Sequence, residues 1–431
     1  MISRQSAFFL AVLSLLVFLE VVAFTDLGKD KSFYYTSSIL FFAAETGICL
    51  LPLWRGWPSD QTEKSSVEKK TKWYVPAIIL LFGIITTVYF LANFYRLIHR
   101  TPIDFWIADM LPHIQSACER LLAGKKIYAV APEIWDGCCV LPYLPAMWFP
   151  FLPAVMLGFD IRWIPVALFL PVFWWFIWEL RRFNGTGFLM VATPVFLLLF
   201  WLIDASLFKI IGFWIWTEEG LVAAYFLFLG LTLLYRNPYW IALAISLCIL
   251  SRYSLLFWVP LYFAWLWMDG QKEFAFKSAF GVFVIVTATF ILPFFIWQPM
   301  YFINIPALYR LHVHDFWTIT LQTKTILVVG LWKFFTYEQI NILRALQLAG
   351  CVLGPLLCFY LYRQRGISTN TRSSLTALCS LKFSLVFFYN LLEYPFDYLF
   401  VIPVILSLPI LLLCFSEFNH FKTNDKVHGL S

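Results

Sequence analysis

The chain has 431 residues, of which 61% are hydrophobic, 20% aromatic and only 13% charged. A water-soluble domain is about half apolar and roughly a quarter charged, so this composition excludes a soluble globular enzyme and calls for many hydrophobic helices dissolved in lipid. The balance of 31 Lys+Arg against 25 Asp+Glu, +6 at neutral pH, is too weak and scattered for a nucleic-acid surface and fits basic loops on the cytoplasmic face of a membrane.

A spanning helix needs ~20 apolar residues, because every backbone polar group must be satisfied inside the lipid. The first such run, Phe8–Phe24, has no small-x-small cleavage site before Thr25 and is followed by further spans, so it reads as a retained anchor and not a signal peptide. Ser37–Leu53 and Val75–Phe94 come next, then Ile164–Trp178, Gly187–Ile203, Leu221–Tyr235, Trp240–Leu250, Leu255–Met268 and Phe280–Trp297. Ile342–Tyr362, Leu375–Tyr389 and Tyr398–Phe415 complete the series. The stretch Leu141–Leu157 is apolar but holds four prolines, Pro142, Pro145, Pro150 and Pro153, and either crosses or lies in the interface.

Lysine and arginine in short loops set the orientation. Arg55, Lys64, Lys69, Lys70 and Lys72 place the 54–74 loop in the cytoplasm, and the N-terminus with it. Arg181-Arg182, Arg236, Lys272, Lys277, the Arg363–Arg372 cluster and Lys422 and Lys426 mark the same side only if one stretch between Leu141 and Trp178 does not cross fully. A second parity problem surrounds Thr325–Trp332. The expectation is an all-α, polytopic transmembrane bundle of 11–13 spans in an inner (plasma) membrane. It forms one membrane domain: an N-terminal hairpin and cytoplasmic loop (1–74), a span with a long outer loop and its return (75–163), and the remaining bundle (164–431).

Six of the nine cysteines, Cys49, Cys248, Cys351, Cys358, Cys379 and Cys414, fall in apolar segments and read as small buried residues. Cys118, Cys138 and Cys139 lie in the outer loop, where one bridge to Cys118 or free thiols are both open.

The first outer loop, Tyr95–Val140, is the most informative stretch. It begins with Asp104 and Asp109 and continues into a helical run with Ile114, Ala117, Cys118, Leu121 and Leu122 on one face and Gln115, Glu119 and Lys126 off it, the pattern of an amphipathic juxtamembrane helix. Gly124 and Lys125-Lys126 end it before Tyr128, and the chain returns to the membrane through Leu141–Pro145.

An outer-loop acid past a spanning helix, the Leu121–Tyr128 segment with its Gly-x-x-x-Tyr spacing, the Tyr143–Pro145 return and the Gly158–Trp163 segment ending near Arg162 together resemble the GT-C superfamily of membrane glycosyltransferases. The closest pattern is the bacterial branch related to polyprenol-phosphate-mannose-dependent mannosyltransferases. The likeness is specific over residues 100–163 and diffuse elsewhere, and the motif follows the third apolar span, where the superfamily usually has it after the first.

The resemblance implies an inverting hexosyltransferase that moves a sugar such as mannose from a polyprenyl-phosphate-linked donor to a lipid or glycan acceptor on the outer face. Its partners would be that donor, that acceptor and membrane lipids, with no nucleic acid. The resemblance implies no definite cofactor and leaves a divalent ion open, because the family contains both metal-assisted and metal-free modes. The chemistry needs a base for the acceptor hydroxyl and cations for the departing phosphate. Asp109 and Asp104 compete for the base role, with helix capping as the plain structural alternative. His113, one turn from Asp109, would help position substrate or simply sit at the interface. Lys125, Tyr128 and Tyr143 belong to the family-like segments and are carried over as substrate contacts.

Arg252-Tyr253 interrupts the apolar run 240–268. A guanidinium there marks phosphate binding, snorkelling to the interface or a structural ion pair. Glu393 and Asp397, flanking Tyr394–Phe396, are candidate sugar contacts, and Glu218-Glu219 is a possible outer acidic pair. His312–Asp315 offers metal-type ligands without specificity, so no metal site is expected. Asn184–Thr186 is a formal sequon on an inside loop. A transporter or lipid flippase is the alternative function, although no half-repeat of the kind such proteins carry is evident. A non-catalytic assembly subunit is a third reading.

Overall fold

The computed structural model describes residues 4–25, 34–54, 74–104, 108–128, 141, 143–180, 213–321, 329–364 and 370–418. Among these residues every regular element is helical and no strand occurs, as the apolar runs require. The expected span Gly187–Ile203, the sequon, the basic 54–74 loop from Arg55 to Lys72, and Cys138 and Cys139 lie outside the described residues.

The N-terminal hairpin is α1 (Arg4–Thr25) and α2 (Tyr34–Leu50). It is followed by α3 (Tyr74–Arg100) and the loop helix α4 (Met110–Leu122). Two short helices, α5 (Pro145–Trp148) and α6 (Leu152–Leu157), lead to α7 (Trp163–Leu180). The bundle continues with α8 (Glu219–Tyr235), α9 (Pro238–Ile249), α10 (Trp258–Met268), α11 (Lys272–Val286) and α12 (Pro299–Asp315). It closes with α13 (Ile340–Gln364), α14 (Asn370–Asn390), α15 (Val401–Ile405) and α16 (Ser407–Phe418).

Five segments among the described residues are long and apolar enough to cross a membrane: Tyr35–Leu53, Pro76–Arg100, Trp163–Leu180, Lys272–Phe295 and Tyr337–Gln364. Shorter apolar helices fill the rest of the bundle. The proline-rich return is broken into α5 and α6. Even as one straight rod, residues 145–157 would reach only about 20 Å, short of a hydrocarbon core ~30 Å thick. Residues 331–334, in the region of the second parity problem, form a short tight turn.

The layering follows from which helices are apolar all round. α8 and α14 are buried over nearly their whole length and form the centre, with α14 packed against α2, α8, α13 and α16. Close approach of α13 and α14 depends on Gly350 and Gly354, where an added Cβ would run into the rings of Phe387 and Phe383. α3 and α11 lie on the outside and present Leu80, Leu81, Ile85 and Val88, and Phe276, Phe280 and Phe283, to the surroundings. Apolar faces of that extent suit lipid and not water. Beyond α11 the turns widen over Thr287–Phe295, where Pro293 has no N–H to continue a regular ladder.

The segment between α3 and α7 is clamped where α3 ends. Arg162 is 3% exposed and donates from Nη1 to the Thr101 carbonyl (2.7 Å) and from Nη2 to the Ile98 carbonyl (3.0 Å), while Asp160 takes its Nε (2.9 Å). It thus satisfies carbonyls that the end of α3 leaves without intrahelical partners. Gly158, with φ +71°, ends α6 and turns the chain toward this clamp. The Gly158–Trp163 segment, read above through the family pattern, is here a tie between α3 and the start of α7.

Candidate functional site

α4 lies as its periodicity predicts: Leu111, Ile114, Ala117 and Cys118 are buried against α5 and α6. Leu122, expected on that face, is 49% exposed, because the helix ends there. Cys118 is a buried free thiol whose Sγ donates to the Trp148 carbonyl at 3.4 Å.

Asp109 occupies the position before α4 but makes no side-chain capping hydrogen bond. Its carboxylate is 53% exposed and lies 3.8 Å from Nε2 of His113, which is buried. Burial holds the imidazole below its ordinary value, and Asp109 opposes that shift. The acid is therefore not spent on the helix end, and it stands at the edge of the packed structure.

Tyr143 is half-buried on the segment that returns to the bundle. Burial lifts its hydroxyl well above the phenol range, with the charges of Glu218 and Asp109 adding to the effect and Arg252 opposing it. Glu218, just before α8, is raised by burial; Arg252 counters that shift and Asp109 reinforces it. Tyr394 is raised by burial and by Asp109. The charge of Asp109 thus acts on Tyr143, Glu218 and Tyr394, and that of Arg252 on Tyr143 and Glu218, although these residues come from five separate parts of the chain.

Arg252 follows the end of α9 in extended backbone and precedes a short turn, Tyr253–Phe257. Its Nη2 lies 3.4 Å from Glu218 Oε1 and is paired more closely with Glu219; both glutamates are fully buried. Arg252 Nε and Glu218 Oε2 are buried without a hydrogen-bond partner, so polar capacity is left over at this pair. The ion pair is a fact of the fold, and the Glu218-Glu219 pair of the sequence is its other half. The segment carrying Tyr143 is stitched to it. Ala146 N donates to the Leu250 carbonyl (3.1 Å), and Tyr225 Oη on α8 donates to the Ala146 carbonyl (3.1 Å).

The other candidates are placed differently. Asp104 is half-buried at the start of the loop, its carbonyl accepting from Ala108 N at 3.1 Å. Lys125 is exposed just past the C-terminal end of α4, about 20 Å along that helix from Asp109. Tyr128 is 3% exposed; its hydroxyl donates to the Tyr143 carbonyl (3.0 Å) and accepts from Trp148 Nε1 (3.1 Å), so it braces the returning segment. Tyr253 is 45% exposed, and its charge acts on Tyr128 and Tyr301.

Glu393 is buried and bound to Arg344 Nε at 2.5 Å, while its carbonyl accepts from Trp317 Nε1 at 2.6 Å. Arg344 also lines a cavity of about 320 Å³ with Arg310, Tyr337, Glu338 and Asn341. The side chains of Asp397 and His312 lie outside the described residues. His314 and Asp315 are exposed and 3.3 Å apart. Among the described residues no group of three or more His, Cys, Asp or Glu is arranged to hold a metal ion.

Family models, characterised proteins and solved structures were all compared with the chain, and none matches it.

Proposed function

We propose that the protein is an inverting glycosyltransferase that takes a hexose from a polyprenyl-phosphate-linked donor on the outer face of a membrane, with Asp109 as the general base. One observation carries this reading: a half-exposed carboxylate, uncommitted to its helix end, lies within electrostatic reach of the Glu218–Arg252 pair and of Tyr143. In the proposed step the acceptor hydroxyl attacks the anomeric carbon and passes its proton to the Asp109 carboxylate. The bond from that carbon to the phosphate oxygen breaks, and the electron pair leaves with the polyprenyl phosphate. Arg252, whose side chain is 22% exposed, is assigned the role of stabilising the leaving charge.

The N-terminus is assigned to the cytoplasm and the outer loop to the far side, on the strength of the basic loops. The sugar and the acceptor are left as classes: a hexose, and a lipid or glycan hydroxyl.

The test is Asp109→Asn in isolated membranes supplied with polyprenyl-phosphate-sugar, with Asp104→Asn in parallel. Loss of a general base lowers turnover by about 10²–10⁴-fold. Loss with Asp109→Asn alone supports the reading, loss with Asp104→Asn alone moves the base to Asp104, and full turnover by both ends the enzyme reading. Substrate flux across proteoliposomes without sugar transfer would replace it with transport.

A further inference from the structure

Three helices carry charged residues in the middle of apolar sequence: Glu20 on α1, Glu45 on α2 and Lys382 on α14, all completely buried. Lys382 Nζ donates to Glu20 Oε1 and, at 2.7 Å, to the Pro403 carbonyl, while Ser407 Oγ donates to Glu20 Oε2 at 2.7 Å. Glu20 thus has a cation on one oxygen and a hydroxyl donor on the other.

Glu45 is served differently. Its Oε2 accepts from Asn390 Nδ2 at 2.8 Å, but Oε1 is 3.8 Å from Lys382 Nζ and has no hydrogen-bond partner. The other side of the same amide, Asn390 Oδ1, is also buried without a donor, although Nδ2 additionally reaches the Val386 carbonyl at 2.9 Å. Two acceptor oxygens, one on each partner of an existing hydrogen bond, are left buried without a hydrogen bond. Each such orphan gives up hydrogen bonds to water and gains none in the fold.

The charge count points the same way. Two carboxylates against one ammonium leave an uncompensated negative charge out of reach of water, which is far more costly than an orphan acceptor. Among the described residues the thiols of Cys49 on α2 and Cys358 on α13 also act here, and neither can supply a positive charge.

We propose that Glu45 is held as a neutral carboxylic acid, its Oε1–H donating to Asn390 Oδ1 while Oε2 accepts from Asn390 Nδ2, so that acid and amide form a closed pair. A single proton turns Oε1 into a donor, gives Asn390 Oδ1 its missing hydrogen bond and brings the buried set to zero net charge, with Lys382 and Glu20 as its one ion pair. A bound sodium ion would balance the charge too. Hard cations, however, take several oxygen ligands, and only these two oxygens in the set lack a donor. The site is a proton seat between the N-terminal hairpin and the central helix α14, and it fastens the two without leaving a charge in the lipid-embedded core.

The experiment is infrared spectroscopy of the full chain in lipid nanodiscs at neutral pH, read as wild type minus Glu45→Gln. The expected difference contains the carbonyl stretch of a protonated acid. Glu45→Gln keeps the wild-type Tm, because its amide reproduces both hydrogen bonds to Asn390. Asn390→Leu retains the acid band but moves it toward the frequency of an unbonded acid, and an unmoved band would refute the pairing. No acid carbonyl in the difference spectrum, or a Glu45→Gln chain that no longer folds, would overturn the proposal. A Tm that rises with sodium in the wild type and not in Glu45→Gln, without an acid band, would assign the seat to a cation.

Discussion

Arg162 and Thr101 are 61 residues apart in the chain, yet the Arg162 guanidinium donates to the Thr101 carbonyl at 2.7 Å. That bond, with those to the Ile98 carbonyl and to Asp160, fixes where α3 stops and the following loop begins. The loop carries Asp104 and Asp109, so the position of either acid depends on a clamp that touches neither. Arg162→Leu strands Asp160 and two helix-end carbonyls. Leaving hydrogen-bonding groups unpaired at a buried site costs about 1–3 kcal/mol, and a clear fall in Tm in detergent is the expected result. Arg162→Lys restores the charge but not the fork that reaches both carbonyls, so its Tm should fall between the two.

Arg252 sets a trap for simple mutagenesis. Replacing it alone leaves Glu218 and Glu219 buried and uncompensated, so Arg252→Met is expected to lose folded protein whether or not the arginine meets substrate. The triple change Arg252→Met, Glu218→Gln, Glu219→Gln removes the charges together, and yield and Tm should recover toward wild type. If Arg252 stabilises a leaving phosphate, the recovered protein still lacks sugar transfer. Recovered transfer would reduce the arginine to a structural ion pair.

Much of the fold was legible because lipid demands long apolar runs, and the buried face of α4 followed directly from the spacing of Leu111, Ile114, Ala117 and Cys118. The pairing of charges was not legible. Glu20, Glu45 and Lys382 sit inside windows whose average hydropathy hides a single charge, and Lys382 meets Glu20 across 362 residues. Arg252 drew attention because it broke its apolar run. Its partners Glu218 and Glu219 lie at the end of another helix, and only the packing of α8 beside α9 unites them. Tyr128 and Arg162 stand out in the sequence only as parts of a motif, whereas their contacts are those of a brace and a clamp.

His113 offers a pH test of the Asp109 site. Its imidazole is held below its ordinary value by burial, so the folded chain binds fewer protons there than the unfolded chain once pH falls below about 6.5. Stability from this group is full above that pH and declines as the medium becomes acidic. His113→Gln should flatten the acid limb of Tm against pH. Asp109 opposes the effect of burial, so Asp109→Asn should lower the His113 titration midpoint further, measurable by NMR of the imidazole protons.

Lys333 gives the opposite end of the pH scale. It lies in the short turn Leu331–Phe334, is 9% exposed, and burial brings its ammonium down to about 7 from an ordinary 10.5. Between those values the unfolded chain holds the proton and the folded chain does not, so stability climbs with pH across that window. Below about pH 7 the folded chain must bury the charge and bears the full cost. Lys333→Met removes the group from both states while keeping most of its apolar stem. Its Tm should exceed wild type by the largest margin at or below neutral pH, and the margin should shrink steadily as pH rises toward 10.5. A margin independent of pH would mean that Lys333 keeps its charge in the folded chain.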